Sequence, residues 1–283
     1  MVETIIKMKI RFLLVPSLLA LCLAAGAQEH VFEWRRVPMD NSRTGCTPAT
    51  ADNVPQAIGT MQGDRYFAPS GRSFNGGATA RVAAIILAAQ PQMAPLKEVI
   101  AHSSEEMSTD YPESALSNWF VDELMRAVAD SSGKKVDIGI ANFGGIRTSM
   151  PKGDVIKDDI MSMFPFKNNL CYVALKGSDV RYILEDMAAT RFQVLGGVKV
   201  VAKDGKLVSV EVGGKPLNDN KVYGVATISF LLNGGDGISV ARNAMELQIL
   251  DGYIIDTMLP FVRSYEAEGK PIEYKTDGRV VIL

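Results

Sequence analysis

Three short segments of the sequence combine flexible or aromatic residues with polar side chains that could bind a small molecule. Residues 142–147 are Asn-Phe-Gly-Gly-Ile-Arg, residues 164–168 are Phe-Pro-Phe-Lys-Asn, and residues 230–237 are Phe-Leu-Leu-Asn-Gly-Gly-Asp-Gly. Paired glycines let a backbone approach a ligand closely, and Asn and Arg offer donors at either end of the first segment. Each segment alone is more typical of a turn or an aromatic core cluster, so their combination and order carry the argument.

Histidine, a common ligand of catalytic metals, is scarce: the sequence contains His30 and His102 and no other. A two-metal phosphoesterase needs several imidazoles and carboxylates to hold its ions about 4 Å apart. The sequence also lacks the motifs His-x-His, His-Glu-x-x-His and Cys-x-x-Cys, and it lacks a Gly-x-Ser-x-Gly nucleophile elbow. We therefore expect no catalytic residues, no metal site and no cofactor in this chain.

The first 27 residues have the pattern of a secretory signal peptide. Lys7, Lys9 and Arg11 precede an apolar stretch over residues 12–25, and the small residues Ala-Gly-Ala end at Ala27. The apolar stretch falls short of the roughly 20 residues that a membrane-spanning helix needs. We expect cleavage after Ala27, a periplasmic or secreted product, and no membrane span.

Charge and cysteine content limit the classes of partner. The chain has a formal net charge of −2, and the predicted signal peptide is net basic, so its removal would leave a more acidic protein. Because no basic run is present, nucleic acid is not an expected partner. Cys46 and Cys171 would remain after cleavage. They could pair in an oxidising compartment or stay as two separate thiols, and the sequence leaves both alternatives open.

Apolar periodicity predicts several helices. A helix over residues 113–131 is indicated by apolar side chains at every fourth position, with Gly133 just past its end. A second helix follows Ser178, a candidate N-cap, and its predicted apolar face consists of Val180, Ile183, Leu184 and Met187. Further helices are predicted over residues 81–90, where Pro91 would end the helix, and over residues 157–163 and 252–268.

Strands predicted among these helices indicate an α/β fold, a single domain with a mixed sheet layered with helices. The clearest strand signal is an Asp204-Gly205 hairpin turn between alternating segments at 198–202 and 207–212. Other strands are predicted at residues 136–141, 171–175, 222–228 and 279–283. We assign residues 81–283 to this domain and residues 28–80, which are rich in Gly, Pro, Asn and Ser, to an N-terminal arm of loops and short strands.

In this order and spacing, the three polar and aromatic segments resemble the C-terminal domain of the secreted and surface 5′-nucleotidases, a family that includes UDP-sugar hydrolases. The resemblance covers residues 81–283. It implies the fold of that domain and a substrate-binding role. It also implies that Asn142 and Arg147 hold a nucleoside or its phosphate side, and that Phe166 and Phe230 sandwich the base.

The resemblance assigns three further residues to the same pocket. Asn168 would contact the edge of the base, Asp236 would accept hydrogen bonds from ribose hydroxyls, and Gly196 would line the pocket wall. The sequence departs from the family pattern at Asp110, which stands three residues before Glu113, where the family usually has an arginine, and in the helix that follows at residues 114–119, where the family more often has a Gly-Asn pair. The change at Asp110 removes a cation from the expected phosphate side.

The resemblance does not extend to the N-terminal metallophosphatase domain of these enzymes. The preferred hypothesis is therefore that this chain is the nucleoside- or nucleotide-binding half of an exported 5′-nucleotidase-type phosphohydrolase that acts in nucleotide catabolism. A separate metallophosphatase chain would then carry the divalent metals. The alternative is a non-catalytic extracytoplasmic binding module for nucleosides or nucleotide sugars. A scaffold whose pocket has decayed is a third hypothesis, which the retained aromatic and charged residues disfavour.

Overall fold

The computed structural model of the protein describes residues 52–283. The predicted signal peptide, the first part of the predicted arm and Cys46 lie outside the described residues. Within residues 52–283 no helix is both long enough and apolar enough to cross a membrane.

The helices of the described residues vary from one turn to five turns. They are α1 (Val54–Ala57), α2 (Gly77–Met93), α3 (Ala115–Ser132), α4 (Lys157–Met163), α5 (Gly177–Ala189) and α6 (Ile254–Ala267). Short 3₁₀ turns occur at Ala94–Lys97, Phe143–Gly145 and Ser229–Leu231.

The strands of residues 52–283 form four separate sheets. In chain order they are β1 (Thr60–Gln62), β2 (Arg65–Phe67), β3 (Ser73–Asn75), β4 (Val99–Ser103), β5 (Ile138–Ala141), β6 (Gly153–Ile156), β7 (Asn169–Lys176), β8 (Val194–Gly196), β9 (Val198–Lys203), β10 (Lys206–Val212), β11 (Lys215–Pro216), β12 (Val222–Ile228), β13 (Glu246–Tyr253) and β14 (Val280–Ile282).

A five-stranded sheet with the order β13-β7-β12-β5-β8 forms the centre of the fold. β12 pairs with β5 in parallel, and the other neighbours are antiparallel. The sheet is therefore mixed, and the predicted α/β fold is confirmed. Helix α3 packs across one face of this sheet, where Gly139 and Gly196 allow the helix to come close.

Residues 52–283 also contain three smaller sheets. β9, β10, β11 and β14 form a four-stranded sheet, and β4 pairs with β6. In the described part of the predicted arm, β1, β2 and β3 form an antiparallel sheet of three-residue strands. The predicted hairpin is confirmed: β9 and β10 are antiparallel, and Asp204 and Gly205 both have positive φ, as a type I′ turn requires.

Some helix ends agree with the sequence signals and others differ from them. α3 is capped by Ser114, whose Oγ accepts from the Ser117 N–H at 3.1 Å, and it ends at the left-handed Gly133, as predicted. α5 begins directly after Lys176, so Ser178 lies inside the helix and is not its cap. α2 extends through Pro91 to Met93; a proline this close to the C-terminal end interrupts few hydrogen bonds.

A buried arginine attaches the C-terminal strand to helix α3. Arg279 is almost fully buried, and its guanidinium donates to Asp122 Oδ1 at 2.8 Å and Oδ2 at 3.0 Å. It also donates to Asp277 Oδ2 at 2.7 Å. The Glu113 carboxylate accepts from the backbone N–H groups of Gly278 and Arg279 at 2.7 and 3.2 Å. These charge-assisted bonds hold β14 and the start of α3 together.

We expect Asp122→Ala to lower the free energy of unfolding by about 2 kcal/mol, because it removes the carboxylate that binds the buried Arg279 guanidinium through both of its oxygens. Asp277→Ala is the matched control, since the Asp277 side chain is 57% exposed against 33% for Asp122. Its cost should be below about 1 kcal/mol. Urea unfolding of both variants tests this, and equal losses would contradict the assigned role of Asp122.

Candidate functional site

One cavity collects most of the polar and aromatic residues that the sequence singles out. It has a volume of about 270 Å³ and is lined by Asn142, Gly144, Gly145, Arg147, Phe166, Asn168, Phe230 and Asp236. All three segments identified in the sequence contribute to it. Among the predicted site residues, Gly196 does not line the cavity.

Sheet topology explains why the three segments meet. The turn that begins at Asn142 follows the C-terminal end of β5, and Phe230 follows the C-terminal end of β12. Because β5 and β12 are parallel neighbours, these two ends lie at the same edge of the sheet. β7 runs antiparallel to β12, so the segment before its first residue, which contains Phe166 and Asn168, reaches that edge as well.

A hydrogen bond joins two of the segments that line the cavity. The buried Asn142 side chain donates from Nδ2 to Asp236 Oδ2 at 2.7 Å. A Cβ atom at Gly145 would lie 2.8 Å from Asn142 Oδ1, so the glycine makes room for this amide. Among the described residues, the other carboxylate oxygen of Asp236 has no protein donor and can accept from a ligand.

A tight turn places Asp236 at the rim of the cavity. Asp236 and Gly237 have φ values of 48° and 79°, and the Ile238 N–H donates to the Gly235 carbonyl at 2.9 Å. This is the pattern of a type I′ turn, in which aspartate tolerates the left-handed conformation better than most residues. The carboxylate is therefore exposed on a short and well-defined loop.

Two phenyl rings line the cavity and remain accessible to solvent. Phe166 is 46% exposed and Phe230 is 45% exposed. The ring–ring contacts among residues 52–283 do not include a contact between these two rings, so neither covers the other. Exposed aromatic faces that line one cavity are suited to a flat ligand, because stacking would remove apolar area from water.

Backbone packing holds one of these rings in place. A Cβ atom at Gly235 would lie 2.2 Å from the Phe230 carbonyl oxygen and 2.8 Å from two atoms of its ring. Only a glycine fits at this distance. The loop that carries Asp236 therefore also supports the Phe230 ring.

The remaining polar groups are available for ligand contacts. Arg147 lies with its Cζ 5.8 Å from the centroid of the Phe166 ring and donates from Nη1 to the Gly144 carbonyl at 3.2 Å. Asn168 is half-buried, and its backbone carbonyl accepts from the Ile254 N–H at 3.1 Å. Its side-chain amide has no partner among the described residues. The site thus offers an amide, a carboxylate and a guanidinium around two rings.

The prediction that Gly196 lines this cavity is wrong. Gly196 pairs with Gly139 between β8 and β5, and a Cβ atom there would lie 2.7 Å from Met125 Sδ and 3.1 Å from Val121 in helix α3. The glycine is required for close packing of helix against sheet. In sequence this requirement looks the same as a close approach to a ligand.

Sequence reasoning gave no role to Gln193, which supports the first segment. Its Oε1 accepts from the Phe143 N–H at 3.1 Å and so holds the turn that follows Asn142. The two residues are 50 positions apart, and no local pattern signals the contact. Within residues 52–283 there is also no group of three or more His, Cys, Asp or Glu residues placed to hold a metal ion.

Comparison with known proteins identifies one family. The sequence model described as "5′-nucleotidase, C-terminal domain" matches residues 99–243, about half of the chain. This range contains every residue that lines the cavity.

Curated relatives match over part of their length. Protein UshA of Yersinia enterocolitica is 38% identical over 120 residues, which cover 40% of this chain and 21% of that protein. The NAD 5′-nucleotidase of Haemophilus influenzae is 31% identical over 174 residues, which cover 54% of this chain and 28% of that protein. The chain thus spans less than a third of the length of these relatives.

Solved structures share the fold. The 5′-nucleotidase precursor from Thermus thermophilus superposes with a TM-score of 0.63 at 26% identity, covering 72% of this chain and 43% of that one. The NAD nucleotidase of Haemophilus influenzae superposes with a TM-score of 0.55 at 20% identity, covering 77% and 47%. At that lower identity the second match supports the fold alone.

We expect Gly235→Ala to lower the free energy of unfolding by about 1–3 kcal/mol, because its methyl group would overlap the Phe230 backbone and ring. Gly144→Ala is the matched control, since a Cβ atom at Gly144 meets its nearest neighbours at 3.4 and 3.7 Å. Its effect should stay within about 0.5 kcal/mol. Chemical denaturation measures both, and a neutral Gly235→Ala would show that the loop does not depend on this contact.

Proposed function

This chain belongs to the 5′-nucleotidase family as a C-terminal domain, and we propose that its cavity binds a nucleoside, nucleotide or nucleotide sugar. The base would lie between Phe166 and Phe230. Asn168 would hydrogen-bond the edge of the base, and Asp236 would accept from the ribose hydroxyls. Asn142 and Arg147 would hold the sugar and its phosphate side.

The observation that carries this proposal is the pair of exposed rings in one cavity with a carboxylate oriented by Asn142. Stacking on an aromatic side chain contributes about 1–3 kcal/mol per base and depends little on base identity. An aspartate can accept from two neighbouring hydroxyls, and an arginine can donate to phosphate oxygens in a fork. When the cost of ordering the ligand and the side chains is subtracted from these contributions, the contacts suggest a dissociation constant of about 10 μM to 1 mM.

We further propose that the chain acts in nucleotide catabolism outside the cytoplasm, together with a metallophosphatase carried by a separate chain. The signal-like residues 1–27 support export. A metallophosphatase partner is supported by the small number of histidines in a sequence that also carries the residues of the proposed nucleotide-binding cavity. In this proposal the divalent metals of the partner supply the hydroxide that attacks the phosphate ester. The described residues bind and orient the nucleotide.

A second candidate function is a binding module that captures nucleosides or nucleotide sugars without hydrolysis. The observation that favours it is Asp110, an exposed acid where the resemblance leads us to expect an arginine. Calorimetry separates the two candidates, because a pure nucleoside binder should hold adenosine and AMP equally well. A module that presents a phosphate ester to a partner should hold AMP more tightly.

We expect the double variant Phe166→Ala and Phe230→Ala to weaken adenosine binding at least about 10-fold, because both stacking faces are lost. Phe74→Ala is the control, since it removes a ring from the separate β1–β2–β3 sheet. Isothermal titration calorimetry gives the affinities. Unchanged adenosine binding in the double variant would rule out the proposed pocket.

We expect the chain alone to hydrolyse no AMP, and we expect addition of a metal-loaded metallophosphatase chain to produce phosphate release above that of the second chain alone. The gain should disappear when this chain carries Phe166→Ala and Phe230→Ala, which distinguishes presentation of substrate from non-specific activation. Release of inorganic phosphate measures the rate. Hydrolysis by the isolated chain would contradict the division of roles.

A further inference from the structure

An arginine outside the proposed set of ligand contacts stands beside the Asn142 turn without an ion-pair partner. Arg191 is exposed, and its Cζ lies 4.7 Å from the centroid of the Tyr111 ring. Within residues 52–283 it forms no ion pair and no side-chain hydrogen bond. The ring face therefore orients the guanidinium and leaves its N–H donors free.

Two contacts tie this arginine to the turn that carries Asn142. The Tyr111 ring meets the Phe143 ring edge-on, with centroids 6.4 Å apart and an interplanar angle of 61°. The Phe143 N–H donates to Gln193 Oε1, and Gln193 is two residues after Arg191. Both the ring beneath the guanidinium and the chain that follows Arg191 are thus attached to the same short turn.

The carboxylate next to Tyr111 in sequence is already engaged. Asp110 precedes Tyr111, and its Oδ1 accepts from the Tyr111 N–H at 2.8 Å. It does not form an ion pair with Arg191. An anion supplied by a ligand would therefore not have to displace a protein carboxylate from the guanidinium.

Two guanidinium groups are thus linked to the Phe143–Gly145 turn. Arg147 donates to the Gly144 carbonyl, and Arg191 is linked to the turn through Tyr111 and Phe143. Gly144 is exposed and has no side chain. An anionic group of a ligand could therefore approach the turn there and accept from these guanidinium groups.

We propose that Arg191, which is linked to the Asn142 turn but does not itself line the cavity, is a second phosphate-recognition residue for a ligand bound there, and that Tyr111 is the positioning residue that orients it. Its ligand class is the phosphoryl group of a nucleotide whose base lies between Phe166 and Phe230. The inference rests on the proposed function. It adds a second guanidinium, beside that of Arg147, to the recognition of the phosphate.

Calorimetry with adenosine, AMP and ADP tests the role of Arg191 in the full chain. In Arg191→Ala we expect unchanged adenosine affinity and AMP and ADP affinities about 3- to 10-fold weaker, since an exposed charge pair contributes modestly. The AMP affinity should also depend less on salt concentration. Arg72→Ala is the matched control, because Arg72 likewise lies over a ring, at 5.1 Å from Phe74, in the separate β1–β2–β3 sheet. It should leave all three affinities unchanged.

Two more variants separate charge from position. Arg191→Lys keeps the charge and loses the planar fork, so it should recover part of the AMP affinity. Tyr111→Leu keeps the charge and loses the supporting ring, so it should weaken AMP and leave adenosine unchanged.

The outcomes are distinguishable. Equal AMP affinity in Arg191→Ala and the unsubstituted chain, with adenosine still bound, would overturn the role of Arg191 and leave the proposed function standing. Equal losses for adenosine and AMP would also overturn it, because they would indicate a structural effect. Absence of adenosine and AMP binding in the unsubstituted chain would overturn the proposed function and this inference together.

Discussion

The directions of three neighbouring strands determine where every residue of the cavity lies. β12 runs parallel to β5 on one side and antiparallel to β7 on the other. Two chain segments therefore leave the sheet, and one enters it, at a single edge. The hydrogen bond from Asn142 to Asp236 then joins segments that are 94 positions apart in sequence. The cavity is thus a property of the assembled sheet, and no single motif could form it.

Sequence patterns predict the parts of this arrangement that are encoded locally. Helix α4 and strand β12 have the predicted bounds, and α3 ends at Gly133, as predicted. The cavity residues are recognisable because each segment has a distinctive composition and because their order resembles a known family. Local capping and turn chemistry act over a few residues, so they are visible in a single sequence.

Other elements depend on contacts between distant residues and could not be predicted in this way. Strand β13 is not predicted from the sequence. It is an edge strand in which the apolar residues Leu247 and Ile249 are exposed, so its apolar pattern does not mark a buried face. Pairing with β7 holds it in the sheet. Gly196 was assigned to the wrong surface because a glycine that faces a helix and one that faces a ligand are indistinguishable in sequence. The hydrogen bond by which Gln193 supports the Asn142 turn could not be predicted either, because Phe143 and Gln193 are 50 positions apart in the sequence.

The contacts of the buried Arg279 make the attachment of β14 depend on the residue just before it. Arg279 lies directly before β14, and its guanidinium binds Asp122 in helix α3. A variant that lacks residues 279–283 would lose the guanidinium that binds the partly exposed Asp122 carboxylate. The Tyr274 hydroxyl, which also donates to Asp122, would then be the remaining side-chain donor to this carboxylate among the described residues.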